Sequence, residues 1–443
     1  MTDLTQYRIQ ARGAAELVQS IEAGIAAGAL RAGERLPSVR RLSAELGLSP
    51  VTVASALAEL RRRGVVVTEP RRGSRVGEGP PIGTERASLP IPPGARDLSN
   101  GNPDPALLPD LTRALHGLRP PMRLYGQPAT LPELAAFAGR QLQADGIDGR
   151  SLCVVSGGLD GIERALDAHL RPGDRVAVEN PGYAALFDLL RARGLVLEPV
   201  AVDERGMEPD QLQAALTRGA RAVVITPRGQ NPTGATLDAV RAGELRAVLA
   251  SAPQALVIKD DHLGQAAGCE LHSTLAGRER WAATRSVSKA MGPDLRLAIL
   301  AGDPLTVARV QGRQQCGPGW VSHILQQLVL SLWRDPSVQA LIARASATYS
   351  ARRERFLAAL RELGVHASAA CGLNVWVPVV DETAAVAALL ARGWVLAPGR
   401  PYRVSGGSQA IRVTIATLGQ REAVQLAAAL AEILAQPSPS RAG

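Results

Sequence analysis

From about residue 150 the chain alternates short apolar runs with longer stretches of helical spacing. Seven runs have the length and composition of buried strands: Cys153–Val155, Val176–Val178, Val196–Val200, Ala222–Ile225, Leu256–Ile258, Ala283–Ser286 and Ala298–Ala301. This alternation predicts an α/β domain with a mostly parallel sheet. Ligands of such sheets gather at the carboxyl ends of the strands, so the polar residues that follow each run are the first candidates for a site.

Glycines and an aromatic ring follow the first two runs. Gly158 and Leu159 come after Val155, where small residues and the free N–H groups of a helix start suit a phosphate. Tyr183 follows the next run, and its ring is suited either to stacking on a planar cofactor or to ordinary packing. Glycine-rich turns between strand and helix are common, so these signals alone fit a ligand site or plain structure.

An amide, a carboxylate and a guanidinium follow later runs. Asn231 precedes Pro232 at a turn, and such a bond is open to the cis form. Asp260 follows Ile258, and a carboxylate beside a pyridine nitrogen keeps that nitrogen protonated, because a negative charge favours the charged form. Arg412 lies inside an apolar run, and a buried arginine needs an anionic partner. A substrate carboxylate is the candidate for that anion.

Lysine is almost absent, since 48 of the 50 basic residues are arginines and only Lys259 and Lys289 remain. Arginine replaces lysine where only charge is needed, but guanidinium stays protonated and cannot attack a carbonyl. Lys289 is flanked by Ser286 and Ser288 and followed by Arg296, which is what a Schiff-base cofactor with a phosphate tail requires. A surface lysine retained by chance is the alternative. Lys259 is expected to face solvent or to form a structural ion pair.

In this order the motifs resemble fold-type I pyridoxal 5′-phosphate enzymes, the aspartate aminotransferase superfamily, over roughly residues 98–434. The resemblance implies Lys289 as the Schiff-base lysine, Asp260 as the partner of the pyridine nitrogen and Arg412 as the ligand of a substrate carboxylate. The other cofactor-binding residues that it implies are Asn231 near the ring hydroxyl, Tyr183 on the ring, Gly158, Leu159, Ser286, Ser288 and Arg296 around the phosphate, and Tyr125, which reaches the phosphate from the partner subunit. His262 replaces the family's tyrosine at the ring hydroxyl, and its titration is expected nearer neutral pH.

The first eighty residues predict three helices and a hairpin. The helices are expected over 11–27, 39–46 and 50–63, with Ser49 as the cap of the third, and the strands of the hairpin over 65–76. Two short helices divided by Gly-Leu-Ser form a helix-turn-helix, whose second helix presents its N-terminal residues to base edges in the major groove. The alternative is a small helical subdomain with solvated charge.

The segment from Gly28 to Val65, with its pattern Leu-Pro-Ser-x-Arg-x-Leu, resembles the winged-helix domain of the GntR family of bacterial regulators. The DNA-binding residues that this resemblance implies are Arg40, Ser49, Thr52, Arg71, Arg72 and Gly73. The wing arginines suit a minor groove or phosphate. Pro50 and Ala54 stand where the family often has contact residues, so base readout is expected to depend more on the others.

A winged helix-turn-helix, a proline-rich tether and a fold-type I transferase domain in this order resemble the MocR subfamily of GntR-type transcriptional regulators. The predicted domains are residues 1–77, a linker over 78–97 and an effector domain over 98–436, the last with an α/β large domain at about 125–305 and a smaller α+β domain from the N-terminal part and about 306–436. The resemblance implies a homodimer that binds operator DNA and holds pyridoxal 5′-phosphate through a lysine aldimine. The effector would be this cofactor or an amino compound. An active aminotransferase with a DNA-binding head and a degenerate scaffold without cofactor are the alternatives.

Composition argues against several other classes. No apolar run reaches the roughly 18 residues of a membrane span, and the start lacks the basic-then-apolar order of a signal peptide. The four cysteines and six histidines have no metal-ligand spacing, so no metal site is expected. The cysteines are expected to be buried thiols in a reducing cytoplasm. The net charge of +9 permits binding to nucleic acid without requiring it.

Overall fold

The computed structural model describes residues 9–31, 33–62, 65–69, 73–77, 91–120 and 122–435. They divide into two compact units. One contains the described residues up to 77 together with 171–174 and 185–197, and the other contains the remaining described residues. None of the helices in these ranges combines the length and the apolar character that crossing a bilayer requires.

The first unit begins with three helices and a hairpin: α1 (Ala14–Ala26), α2 (Val39–Leu46), α3 (Pro50–Arg62), β1 (Val66–Glu69) and β2 (Gly73–Val76). The Ser38 hydroxyl accepts the backbone N–H of Arg41 and caps α2, which ends at Gly47 in the left-handed conformation (φ 64°). The two strands pair antiparallel, with Val66 opposite Val76. The predicted winged helix-turn-helix is confirmed. Arg71 and Arg72 lie outside the described residues.

The other helices and strands follow in chain order: β3 (Arg96–Asp97), α4 (Leu111–His116), α5 (Pro132–Ala144), β4 (Leu152–Val155), α6 (Gly158–Asp167), β5 (Arg175–Asn180), α7 (Ala184–Ala192), β6 (Val196–Asp203), β7 (Gly206–Met207), α8 (Pro209–Thr217), β8 (Ala220–Ile225), α9 (Ala239–Ala250), β9 (Leu256–Asp261), β10 (Trp281–Ser286), α10 (Ser288–Met291), β11 (Ala298–Gly302), α11 (Pro304–Gln315), α12 (His323–Arg334), α13 (Pro336–Glu362), β12 (Asn374–Pro378), α14 (Glu382–Ala391), β13 (Trp394–Val395), β14 (Ala397–Pro398), β15 (Ala410–Thr414) and α15 (Gln420–Ala435).

The large sheet of the second unit has the strand order β4-β11-β10-β9-β8-β5-β6-β7. Strands β10, β9, β8 and β5 pair in parallel, while β11 runs antiparallel to both β10 and β4. All seven predicted runs are strands of this sheet, which confirms the mostly parallel α/β domain. The carboxyl ends of β4, β5, β8, β9 and β10 consequently meet at one edge.

The small sheet consists of β12, β15 and β14 in antiparallel order. A separate pair joins β13 to β3 in parallel, so Arg96 and Asp97, the last residues of the predicted linker, form a strand. Arg96 also makes an ion pair with Glu422 (Nε–Oε1 2.9 Å) and donates to the carbonyl of Thr417 (2.6 Å). Two polar residues have no apolar periodicity, which is why the sequence pattern did not reveal this strand.

The cysteines depart from the sequence expectation. Cys269 and Cys371 form a disulfide with their Cα atoms 6.4 Å apart, and Cys316 is exposed. The prediction of four buried thiols is therefore wrong for all but Cys153. The bridged cysteines are 102 positions apart. They meet because the segment before β12 packs on the loop after β8, where the Cys371 N–H donates to the Gly234 carbonyl (2.9 Å).

These environments predict selective thiol chemistry. We expect the native chain to react with an aromatic disulfide reagent at Cys316 alone, because burial raises the pKa of Cys153 to about 12. Absorbance of the released thiolate measures the reaction. Cys316→Ser should abolish the rapid phase, and Cys153→Ser should leave it intact. Rapid labelling that survives Cys316→Ser would contradict the assignment.

Candidate functional site

Lys289 lies at the carboxyl edge of the large sheet, on the short helix α10 that follows β10. Its Nζ donates to the backbone carbonyl of Gly101 (2.7 Å). Burial, and then the charge of Arg412, lower the pKa of Lys289 to about 8. A larger fraction of neutral amine is therefore present near neutral pH than at an ordinary lysine, which is what a nucleophilic amine requires.

Asp260 lies near the end of β9, and its side chain is buried. Thr284, its register partner on β10, donates to Asp260 Oδ1 (3.3 Å). Burial and then the neighbouring charge of Asp261 raise the pKa of Asp260 to about 7. The carboxyl group is thus poised to exchange a proton with a basic ring nitrogen. Thr284 was not identified from the sequence, because a threonine in a strand has no distinctive pattern.

The raised pKa of Asp260 predicts a pH dependence of stability in the cofactor-free chain. The native state holds this proton more tightly than the unfolded state, so the contribution of Asp260 to the free energy of unfolding is greatest at low pH. It is lost as the pH rises through about 7. We therefore expect the free energy of unfolding of Asp260→Asn, relative to that of the wild type, to increase as the pH rises from about 5 to about 8. Urea unfolding at both pH values measures this, and a pH-independent difference would contradict it.

A small cradle, formed by Gly157, Gly158 and the guanidinium of Arg296, follows β4. Gly157 has a φ of 115°, and a Cβ placed there would lie 2.8 Å from Nη2 of Arg296. A Cβ at Gly158 would lie 3.4 Å from Oδ1 of Asp260. Helix α6 starts at Gly158 without a side-chain cap, so Leu159 and its neighbours present N–H groups there. The cradle therefore combines the helix start with the guanidinium of Arg296.

The far side of the cradle is formed by the segment after β10. Ser286 is buried, and its hydroxyl accepts the backbone N–H of Ser288 (3.2 Å). Arg296, itself at φ 43°, places Nη2 3.4 Å from the Ser156 carbonyl. The hydroxyls, the guanidinium and the helix start together form a donor set for a phosphate dianion.

Arg412 projects from β15 and is 4% exposed. Its Nη1 donates to Oδ1 of Asn231 (3.1 Å), and its Nη2 donates to the carbonyl of Ser99. Its guanidinium carbon lies 4.9 Å from the ring centroid of Tyr402. A planar guanidinium fixed on a ring face is oriented for bidentate binding of a carboxylate. The peptide bond after Asn231 is cis.

Ser99, Gly101 and Tyr402 were missed by sequence reasoning. The carbonyls of Ser99 and Gly101 accept from Arg412 and Lys289, and the Gly101 N–H donates to Thr414 Oγ1 (3.1 Å). The residues at 99–103, Ser-Asn-Gly-Asn-Pro, are of the types that form turns, but nothing in them indicates that this backbone accepts from two cationic side chains.

His262 follows Asp261 directly. Its Nε2 lies 3.0 Å from the backbone carbonyl of Gly229, which requires a proton on Nε2. Burial and then the charge of Lys289 lower the pKa of His262 to about 4. Both effects oppose a positive charge on the ring, so they move the titration of His262 away from the neutral range expected from the sequence. With Nε2 donating, Nδ1 of the neutral ring is an acceptor.

A buried ionic cluster lies on the other face of β9. Asp261 receives a bidentate pair from Arg228 (both 2.9 Å) and a third bond from Arg285 (2.9 Å). These guanidinium charges lower the pKa of Asp261, whereas its burial acts in the opposite direction. Arg228 lies in the loop between β8 and Asn231, so this cluster fixes the loop after β8 to β9.

Lys259 belongs to the same face of β9, and it is fully buried. Its Nζ donates to the carbonyl of His272 (3.2 Å), and burial lowers its pKa to about 7. Lys259 was expected to face solvent or to form a structural ion pair, and the first of these is wrong. The reason is that the whole of β9, including its charged end, is covered on both faces, as in other parallel sheets.

A second buried carboxyl group orders the loops after β5 and β8. Glu179 accepts from the N–H (2.9 Å) and hydroxyl (2.8 Å) of Thr226 and from Nε2 of Gln230 (3.1 Å). Gln230 Nε2 also donates to the Pro181 carbonyl (2.8 Å). Burial raises the pKa of Glu179 to about 7. The bonds tie the turn that carries Tyr183 to the turn that carries Asn231.

Tyr125 is 91% exposed, and its ring packs edge-on against Trp320 (centroids 5.4 Å apart). None of the hydrogen bonds given above for the site residues involves Tyr125. Its assignment to a partner's phosphate site stays a prediction. Met122 and Leu124 on the same segment are also exposed, which leaves an apolar surface around Tyr125.

In the first unit, Arg40 is exposed on α2, and Gly73 is exposed at the start of β2 with a φ of 85°. The Ser49 hydroxyl accepts the N–H of Thr52 (3.1 Å) and lies 2.8 Å from the Thr52 hydroxyl. Ser49 therefore caps α3, as its position in the sequence predicts. The DNA-contact roles of these residues stay predictions.

The residues at the carboxyl edge of the large sheet fit pyridoxal 5′-phosphate. The glycine cradle offers phosphate donors, and a Cβ at Gly157, where φ is 115°, would crowd the Arg296 guanidinium. Asp260 offers a carboxyl group for a ring nitrogen, and Lys289 offers an amine for an aldehyde. Among the described residues there is no cluster of His, Cys, Asp or Glu suited to a metal ion.

Residues 96–430 match the aminotransferase class I and II family, and residues 14–76 match the gntR family of bacterial regulatory proteins. The chain is 41% identical to the vitamin B6 salvage pathway transcriptional repressor PtsJ of Salmonella typhimurium, over 96% of this chain and 99% of that protein. It is 30% identical to the HTH-type transcriptional regulator TauR of Rhodobacter capsulatus, over 87% of this chain and 88% of that one.

Solved structures support the fold of the second unit. An archaeal alanine:glyoxylate aminotransferase matches with a TM-score of 0.70 and 22% identity, over 77% of this chain and 90% of that one. Identity at this level shows the fold alone. Together, the two family matches and the full-length relatives show that the chain belongs to the MocR subfamily of gntR-type regulators, in which a winged helix-turn-helix is joined to an aminotransferase class I and II domain.

Proposed function

We propose that this chain is a transcriptional regulator that binds operator DNA through its winged helix-turn-helix and pyridoxal 5′-phosphate in its aminotransferase-like unit. Its DNA affinity would change when the cofactor or an amino compound occupies that unit. The observation that carries the proposal is the presence, in one chain, of a DNA-binding fold and of a site that holds Lys289, Asp260 and Arg412. The similarity to a vitamin B6 salvage repressor supports a response to a B6 compound.

Bound pyridoxal 5′-phosphate supplies an aldehyde carbon that amines attack and a ring that withdraws electrons. Lys289 offers the attacking amine, held by the Gly101 carbonyl. Asp260, supported by Thr284, would exchange a proton with the ring nitrogen. Arg296, Ser286 and the start of α6 provide the donors for the phosphate.

The environment of Arg412 favours an effector with a carboxylate over a simple amine. In the structure its Nη1 and Nη2 donate to neutral acceptors, the Asn231 amide oxygen and the Ser99 carbonyl. A carboxylate makes stronger, charge-assisted bonds with the same donors. An amino acid would therefore gain free energy at Arg412 that an amine lacking the carboxylate would not.

A second copy of the chain is the proposed partner. Met122, Leu124 and Tyr125 expose their side chains on one short segment. Exposed apolar side chains grouped on one segment in this way are typical of an interface. Burial against a second copy would carry Tyr125 to the partner's site, as the resemblance implies.

The test uses the full chain and a fluorescent duplex that this chain selects from a randomised pool. The dissociation constant is measured without cofactor, with pyridoxal 5′-phosphate, and with the cofactor plus each common amino acid. We expect at least one addition to change it by about fivefold or more. An unchanged dissociation constant under every condition would overturn the sensing function.

An active aminotransferase is the second candidate, because Lys289, Asp260 and Arg412 are all present in one site. Keto-acid formation is followed over many turnovers with a panel of amino donors. Sustained turnover would favour the enzyme. Conversion limited to one equivalent, together with a change in DNA affinity, would favour the regulator.

A further inference from the structure

Helix α3 presents an apolar surface to solvent at its N-terminal end. Pro50, Val51 and Ala54 are all exposed there, and Val51 is 78% exposed. The opposite face of the helix is formed by buried residues of the core, which are Val53, Ala56, Leu57 and Leu60. Because Val51 and Ala54 are three residues apart, they occupy neighbouring positions on one face.

Two of the hydroxyl groups next to this surface are already engaged, whereas Ser55, which follows Ala54, is exposed. The Ser49 hydroxyl accepts the N–H of Thr52 and pairs with the Thr52 hydroxyl. Pro50 has no N–H, and neither Val51 nor Ala54 carries a side-chain donor or acceptor. The most outward positions of the first turn are thus unable to read a base by hydrogen bonding through their side chains.

The surroundings of this surface are basic. Arg40 is exposed at the start of α2 and Arg61 is exposed near the end of α3, while the exposed Arg41 is paired with Glu45 (2.6 Å). Arginines at these positions complement the phosphates on either side of a groove, while the N-terminal end of the second helix of a helix-turn-helix faces the base edges. The charge pattern thus favours duplex DNA as the occupant of this surface.

We infer that Val51, flanked by Pro50 and Ala54, contacts the 5-methyl group of a thymine in the major groove and makes that thymine a specificity determinant of the operator. Thymine is the base that carries an aliphatic group on its major-groove edge. An aliphatic side chain without donors gains free energy there by excluding water and gains none at a polar base edge. This inference rests on the proposed DNA-binding function.

The experiment uses the full chain and the duplex that it selects from a randomised pool. Each thymine of one half-site is replaced in turn by deoxyuridine, which removes only the 5-methyl group. Fluorescence anisotropy at one fixed salt concentration gives the dissociation constants for the wild type and for Val51→Ala. Val240→Ala, which alters an exposed valine on α9, is the matched control.

We expect one thymine at which deoxyuridine weakens wild-type binding by about fourfold, the change that corresponds to about 0.8 kcal/mol for one buried methyl-sized group. Val51→Ala should bind the thymine duplex more weakly and should lose the response to deoxyuridine at that position. Val240→Ala should keep the response. Melting temperatures equal to that of the wild type would verify that both variants are folded.

Two results would overturn the inference. One is a selected duplex on which no deoxyuridine changes wild-type affinity. The other is a response to deoxyuridine that Val51→Ala retains unchanged. A pool from which the wild type selects no sequence at all would instead refute the DNA-binding function itself.

Discussion

Lys289→Ala is expected to abolish the visible absorbance band that the chain acquires with pyridoxal 5′-phosphate. The band depends on a carbon–nitrogen bond between the cofactor and an amine of the protein. Nζ of Lys289 is the amine that lies at the carboxyl edge of the sheet, with the Gly101 carbonyl as its acceptor. A spectrum recorded after addition of the cofactor and removal of its excess measures the effect. An unchanged band would refute the assignment.

The scarcity of lysine gives this experiment an unusually good control. Lys259→Met removes the only other lysine, which is fully buried and donates to the His272 carbonyl. We expect this variant to keep the band. Borohydride reduction followed by peptide mass spectrometry should place the added mass on the peptide that contains Lys289. Added mass on Lys259 would exclude the proposed site.

Among the substitutions proposed, Asp261→Asn is expected to cause the largest decrease in the free energy of unfolding. Asp261 is the carboxylate that Arg228 and Arg285 share inside the second unit. Removing its charge leaves two buried guanidinium groups without that counter-ion, and breaking a buried pair in this way costs about 3–5 kcal/mol in the free energy of unfolding. Urea unfolding measures this change.

The matched control for this prediction is Asp148→Asn. Asp148 pairs with Arg150 (2.6 Å), whose side chain is 89% exposed. An exposed pair contributes about 0–1 kcal/mol, so the two variants should differ clearly. Asp261→Asn should also lower the pKa of Asp260, because the charge of Asp261 helps to raise it. Equal stability losses in the two variants would contradict the role of the buried cluster.

The fold was accessible from the sequence because its local signals agree. Ser38, Gly47 and Ser49 mark helix ends with the residue types that caps prefer, and the observed helices begin or end beside them. The seven apolar runs are all strands of the large sheet. The short strand β3 was not accessible, because its two polar residues are held by β13 and by an ion pair with Glu422, neither of which leaves a local pattern.

The candidate site was only partly accessible from the sequence. Functional side chains that follow strands could be identified from the sequence, because parallel topology brings the carboxyl ends of the strands together. Groups that act through their backbone, such as Gly101, were not found, because a carbonyl has no sequence signature. The state of His262 also could not be predicted, since its lowered pKa depends on burial and on the nearby charge of Lys289. Long-range pairs such as Cys269–Cys371 have the same limitation.

The burial of Lys259 and the position of Lys289 within the site have a consequence for chemical modification. Acetyl transfer neutralises lysines, and neither lysine of this chain lies on an open surface. The cations of the DNA-binding head are guanidinium groups, which stay protonated at any physiological pH. The electrostatic attraction of the head for phosphate is therefore insensitive to lysine acylation, whereas ionic strength still weakens it.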